Sequence, residues 1–171
     1  EIKNAYRDFV GGGILDEETM LKFVNAIGRD NARFPMHWDD SDNAGFTTGT
    51  PWISVNENYK KINAAAQVND PDSIFSYYKK LIELRHQMEI IVYGVYKSKA
   101  IEHPDVFAYT RTLGDEKLFV VCNFREQEMD FTLEDGFTGD EKVLISNYDD
   151  VVKTENGIYL RPYEAKVFYR K

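Results

Sequence analysis

Two arginines four positions apart, Arg29 and Arg33, stand in the run Arg29-Asp30-Asn31-Ala32-Arg33. A guanidinium offers a planar fork of donors in fixed directions and does not titrate, so such groups suit the positioning of oxygen atoms and not proton transfer. Asp30 and Asn31 between them read as residues that hold the loop backbone. The three histidines, His37, His86 and His103, are isolated from one another and from carboxylate pairs, so a metal site has little support and neither metal nor cofactor is expected. Cys122 lies in the apolar run from Leu118 to Phe124 and reads as a buried, inert thiol. As the single cysteine it excludes an internal disulfide and suits a reducing compartment, which points to the cytoplasm. Paired acids such as Glu17-Glu18 and Asp149-Asp150 read as solvated surface or turn residues.

The elements that must position these residues fall into two halves, and the change comes near Met88 to Gly94. The 171 residues suffice for one substantial domain, or for one domain plus part of another. With aromatics at 14%, the composition is that of a globular chain. A formal charge of -8, with Lys and Arg scattered along the chain, excludes the clustered positive patch that a phosphate backbone needs, so no nucleic-acid partner is expected. No apolar run approaches the roughly 20 residues that span a bilayer, and no basic-then-apolar leader opens the chain, so no membrane partner is expected either.

In the first half, Ile74, Tyr77, Tyr78, Leu81, Leu84 and Met88 recur at helical spacing and predict a helix over 73–88. Asp70 before Pro71 reads as its N-cap. A weaker helix is expected over 17–26, with Met20, Phe23 and Val24 on its apolar stripe. Between them, residues 28–64 are rich in Asn, Gly and Pro and carry little periodicity. A loop of that length is uncommon in a compact domain and is usually functional, which is the first positional hint of a site.

From Ile90 onward the sequence shows short β-rich runs over 92–96, 106–112, 118–124, 128–133, 142–146, 158–161 and 165–169. Turn signals at Leu113-Gly114-Asp115, Asp135-Gly136 and Asn156-Gly157 separate them. Seven such runs predict an antiparallel β-sandwich, with a core that includes Phe107, Tyr109, Phe119, Val121, Phe131, Leu144, Leu160 and Val167.

The stretch from Gly28 through Arg29-Asp30-Asn31-Ala32-Arg33-Phe34-Pro35-Met36-His37-Trp38-Asp39-Asp40, with Asn43-Ala44-Gly45-Phe46-Thr47-Thr48-Gly49-Thr50-Pro51-Trp52, resembles one found in the oligo-1,6-glucosidase type of α-glucosidase within the α-amylase superfamily. Dextran glucosidases, trehalose-6-phosphate hydrolases and sucrose isomerases are close kin. The resemblance continues through Val55-Asn56-Glu57-Asn58-Tyr59, Tyr78-Lys79-Lys80-Leu81-Ile82-Glu83-Leu84-Arg85, Ala108-Tyr109-Thr110-Arg111 and Leu160-Arg161-Pro162-Tyr163-Glu164-Ala165, and so covers nearly the whole chain. Departures are Phe34, where relatives commonly have Thr, and His37, where Gln is common.

The resemblance implies a mainly β fold in which an antiparallel β-sandwich C-terminal domain is preceded by the last loop and helix of a (β/α)8 barrel. Residues 1–89 would be the C-terminal remnant of the catalytic barrel, with 28–64 as its last loop and 73–88 as its last helix. Residues 90–171 would be the all-β domain. The position of the long loop agrees with this, because barrel active sites are built from loops at one face. The implied chemistry is retaining cleavage of α-1,6-glucosidic bonds in short gluco-oligosaccharides, which needs a carboxylate nucleophile and a carboxylic acid. The family's motifs for those groups do not occur in this chain, so it is expected to be inactive alone and no catalytic residue is assigned within it. What remains is substrate positioning: in related enzymes an arginine of the Arg-Asp-Asn-x-Arg motif binds hydroxyls of the terminal glucose, and Arg29 and Arg33 hold the matching positions.

Trp38, Phe46 and Trp52 could stack on sugar faces in a free-standing binding module, but their spacing fits a satellite hydrophobic cluster better. A stand-alone carbohydrate-binding or structural β domain without catalysis is the alternative function. An oligosaccharide is the partner expected for the full-length parent. Incomplete cover of the helix over 73–88 predicts self-association of the chain itself.

Overall fold

The computed structural model describes residues 2–28 and 32–171. They form two compact units, the first ending at Ser76 and the second beginning at Tyr77.

In the first unit, helix α1 spans Ile2–Phe9 and α2 spans Glu17–Ile27. Asp16 caps α2 by accepting from the Thr19 N–H at 2.8 Å, and Glu17 and Glu18 set negative charge against the positive end of the helix. Helix α3, Ala64–Val68, is capped by Asn63, whose Oδ1 accepts from the Ala66 N–H. Helix α4 spans Ile74–Gln87 and continues into the second unit. Its cap is Ser73 and not Asp70: Ser73 Oγ accepts from the Ser76 N–H, whereas Asp70 Oδ1 accepts from Asp72 N–H in a tight turn just before. Pro71 therefore lies in that turn and not in the first helical position.

The second unit opens with a difference from the sequence pattern. Residues 92–96 read as a strand, yet Glu89–Tyr93 forms a one-turn helix, α5, closed by Gly94 N–H on the Ile90 carbonyl. The β-branched run follows burial here: the helical turn sends Ile90, fully buried, into a cluster with Leu118 and Leu144, joined by Leu84 and Met88. Full burial of one such side chain contributes about 1.5–3 kcal/mol.

Eight strands follow: β1 Val95–Lys99, β2 Val106–Leu113, β3 Glu116–Asn123, β4 Met129–Thr132, β5 Lys142–Ser146, β6 Val152–Thr154, β7 Gly157–Leu160 and β8 Ala165–Arg170. β6 was not visible as a strand in the sequence, because three residues are too few to display alternation. The strands make a five-stranded sheet in the order β1-β2-β3-β8-β5 and a three-stranded sheet in the order β4-β7-β6, antiparallel at every pairing. Phe119, Val121 and Phe168 from the larger sheet meet Phe131, Ile158 and Leu160 from the smaller, which makes the sandwich core. On β5 the register slips between Val143, opposite Phe168, and Ile145, opposite Val167, so Leu144 is an extra residue in the ladder.

Four expected core residues lie on the other face of the larger sheet: Leu144 and Val167 pack with Ile90 and Leu118 on the helix side, and Phe107 and Tyr109 share that side. Phe107 is 46% exposed and Tyr109 half-buried, while Val106, Ala108 and Thr110 are buried against the second sheet. Alternation put Phe107 and Tyr109 on one face correctly but assigned them the wrong one, since the helices and not the second sheet flank that side.

Buried charge ties the sandwich together at two places. Lys99, on the core side of edge strand β1, donates to Asp135 Oδ1 at 2.9 Å and Glu134 Oε2 at 3.1 Å. Glu164, with no exposed surface, accepts from the Arg161 N–H, from the Arg161 guanidinium and from Lys166 Nζ. Lys166 also donates to the Asp150 carbonyl, and the Arg161 guanidinium lies 4.0 Å over the Tyr148 ring. Burial pushes the Glu164 carboxyl up, but hydrogen bonds from Arg161 and then Lys166 outweigh it and hold the group below the usual carboxylate range.

Candidate functional site

The long segment of the first unit is irregular but locally pinned. Short 3-10 turns occupy Asp42–Gly45 and Glu57–Lys60. Asn43, Ala44 and Gly45 all have left-handed backbone, with φ of 53°, 57° and 65°. An alanine in that region costs roughly 1–2 kcal/mol, so its neighbours must hold it. Ala44, fully buried, accepts at its carbonyl from the Trp38 N–H at 2.9 Å, and the Asn43 side chain donates to the carbonyls of Thr47 and Gly49, each at 3.1 Å. Gly45 is required for a second reason: a Cβ there would lie 2.7 Å from the Asp39 carboxylate.

Asp39 Oδ1 accepts from the hydroxyl and the N–H of Ser41, and these two bonds hold its carboxyl below the usual range. Asp39 thus organises a turn and is poorly placed to shuttle protons. The loop then returns to its starting point, as Ala64 N–H and Ala65 N–H donate to the carbonyls of His37 and Trp38, both at 2.9 Å. Lys60 Nζ reaches the Asp40 carbonyl at 2.8 Å and fastens the two limbs again. His37 Nδ1 is 3.1 Å from the Ile62 carbonyl, so Nδ1 carries the proton, and Nε2 is buried without a partner among the described residues. Phe34, Pro35, Met36, His37, Ile62 and Phe75 line an open groove of about 330 Å³ on the same unit.

Of the expected substrate-binding pair, Arg29 lies outside the described residues, with Asp30 and Asn31. Arg33 is exposed at the mouth of the segment, immediately before Phe34 and the buried Pro35. The aromatic cluster expected from Trp38, Phe46 and Trp52 does not form a buried core: they are 54%, 48% and 87% exposed. The segment makes hydrogen-bonded turns over itself and offers no apolar layer for these rings to enter. Among the described residues no group of three or more His, Cys, Asp or Glu is gathered to hold a metal ion. The left-handed hook at Asn43–Gly45 was missed in the sequence, although Asn and Gly two apart beside an Asp are the residues that tolerate it.

The family pattern described as alpha amylase, catalytic domain, matches residues 10–94, and the pattern described as alpha-amylase SusG C-terminal domain matches residues 106–167. The chain belongs to the α-amylase family. Within it, the chain is similar to the oligo-1,6-glucosidase of Parageobacillus thermoglucosidasius, at 50% identity over 98% of this chain and 30% of that enzyme. The oligo-1,6-glucosidase of Bacillus cereus is 49% identical over 100% of this chain and 31% of its own length. Among solved structures, the trehalose-6-phosphate hydrolase of Bacillus licheniformis superposes with a TM-score of 0.87 at 42% identity, over 98% of this chain and 31% of that one. The chain therefore spans about 30% of the length of the relatives it matches.

Proposed function

We propose that this chain supplies the last barrel loop and helix, together with the C-terminal β domain, of a retaining α-glucosidase that cleaves α-1,6-glucosidic bonds in short gluco-oligosaccharides. The observation that carries the reading is identity of 44–50% to four oligo-1,6-glucosidases across nearly all of the chain. Residues 1–89 belong to the catalytic barrel and residues 90–171 to the β domain. Arg29 and Arg33 bind hydroxyls of the terminal glucose or fix the loop that does so, while the nucleophile and the acid come from the rest of the enzyme. By itself the chain is inactive, because positioning groups without that carboxylate pair cannot split the bond. A single cysteine supports a cytoplasmic setting.

The decisive measurement is kinetics on the full-length parent. A charge-assisted hydrogen bond is worth about 1.5–3 kcal/mol, so changing the pocket arginine to Ala is expected to lower kcat/KM for isomaltose at least about tenfold. Arg29→Ala and Arg33→Ala are both made, and the non-pocket arginine is expected to alter stability more than kinetics. Wild-type kinetics in both variants would sink the assignment. A preference for trehalose-6-phosphate over isomaltose would move the substrate but keep the reaction class.

A further inference from the structure

Strand β6 is three residues long, lies at the border of the smaller sheet and is paired with β7. Thr154 stands opposite Gly157, so Glu155 and Asn156 alone make the loop between the two strands. Neither has positive φ, so this loop is not the primed turn whose twist matches that of a hairpin. Gly157 is instead the first residue of β7, paired also with Thr132 on β4, and a Cβ there would run into the Phe131 carbonyl. Ile158, which follows it, is fully buried in the sandwich core. Asn156 is exposed, and among the described residues its side chain makes no hydrogen bond. Beside it lies an open recess of about 300 Å³, lined by Thr138, Lys153 and Gly157.

We infer that Asn156-Gly157 is a site of spontaneous covalent modification, with water as the co-reactant, and that the product frees β6 from the smaller sheet. It is the one Asn-Gly pair in the sequence, and glycine has no Cβ to shield its nitrogen. A solvent base takes the Gly157 N–H proton as that nitrogen attacks Asn156 Cγ. The new N–Cγ bond closes an imide ring, the Cγ–Nδ2 bond breaks, and ammonia leaves with a proton. Water then opens the imide at either carbonyl and gives aspartate or isoaspartate, so no oxidant or reductant is needed. The attack requires the turn to open, which a short border strand with an ill-matched loop allows at small cost. Other asparagines are worse placed: Asn43, Asn63, Asn123 and Asn147 are each held by a side-chain hydrogen bond and precede a residue with a Cβ. Asp135-Gly136 has the same spacing, but Asp135 is a carboxylate paired with Lys99, and a carboxylate is a poor electrophile. Isoaspartate adds a carbon to the main chain. A loop of two residues has no slack to take it up, and Gly157 cannot shift without drawing Ile158 from the core. The displacement therefore falls on β6 and on its Lys153–Asp140 ion pair.

The test is to age the chain in mildly alkaline heavy-oxygen water and map its peptides by mass. The Asn156 peptide is expected to release ammonia and gain one heavy oxygen at least about tenfold faster than a peptide holding any other asparagine, a difference of one decade in rate. Methyl transfer by an isoaspartyl methyltransferase should identify the lengthened product in that same peptide. Trypsin supplies the structural readout, since Lys153 lies in β6: the fresh chain should resist cleavage after Lys153, and the aged chain should be cut there. Asn156→Gln is expected to abolish both the mass change and the new cleavage. Asn156→Asp installs the acid without the extra main-chain atom and is expected to stay resistant. Faster conversion at another asparagine would overturn the inference, as would equal cleavage of fresh and aged chain. So would an Asn156→Asp chain already cut after Lys153, because charge and not main-chain length would then free the strand.

Discussion

Glu164 and Lys166 are both essentially free of solvent contact; Glu164 is tolerable because Arg161 and Lys166 pair with it, and Lys166 because Glu164 is its counter-ion. Glu164→Gln is expected to cost about 3–5 kcal/mol, by leaving the lysine charge buried without its counter-ion. The pH dependence follows from the depressed carboxyl. A group held lower in the folded state stabilises fully above its unfolded value of about 4.3 and loses that contribution as pH falls toward the folded value. Chemical denaturation of the wild type should therefore show an acid limb beginning below about pH 5, and Glu164→Gln should flatten it. An unchanged limb would mean that other carboxylates dominate. At Gly45 the argument is steric: Gly45→Ala places a methyl against the Asp39 carboxylate at positive φ, so a loss of more than about 1 kcal/mol is expected. Both tryptophans, Trp38 and Trp52, lie in the same segment, so their fluorescence reports this change locally.

At the scale of elements, strand β2 gives the sharpest comparison. Phe119→Ala empties the sandwich core and is expected to cost about 3–5 kcal/mol, whereas the same truncation at Phe107 in the isolated chain should cost less than half as much. Equal costs would contradict the face assignment. For α4, Ser73→Ala is expected to lose about 1 kcal/mol of cap stabilisation and Asp70→Ala less, as read by urea denaturation. These two elements also show how far the sequence was legible. Periodicity placed α4 within a residue at each end, because a 14-residue amphipathic stripe repeats often enough to be unambiguous. It placed the cap at Asp70 where Ser73 holds it, since the cap depends on which hydroxyl or carboxylate faces the first free N–H. Alternation paired Phe107 with Tyr109 on one face, but a strand flanked by a sheet on one side and helices on the other has apolar residues on both. Ring size then pointed to the wrong core. In the candidate site, the exposure of Trp38 and Trp52 was not legible, because it depends on what surrounds the loop.

For the molecule as a whole, α4 carries apolar side chains that remain in water: Ile74 is 80% exposed, Tyr78 64% and Ile82 45%, while Leu84 is partly buried on the sheet. A contiguous patch of this kind is seldom left to solvent, so the isolated chain is expected to associate reversibly as its concentration rises. Light scattering on a dilution series would show it, and Tyr78→Lys with Ile82→Lys should abolish it without disturbing the β domain. A monomer at high micromolar concentration would contradict this expectation. Such contact is through side chains, and the extra residue on β5 governs contact of another kind. Strand β5 is the free border of the larger sheet, where a second polypeptide could add itself by main-chain pairing. With Leu144 inserted, the outward row of amide and carbonyl groups changes phase midway, so an incoming straight strand cannot satisfy both ends at once. The slip thus works as a guard against fibre growth. Deleting Leu144 should lengthen the regular border, and incubation with thioflavin T would then reveal ordered aggregates that the wild-type chain does not form.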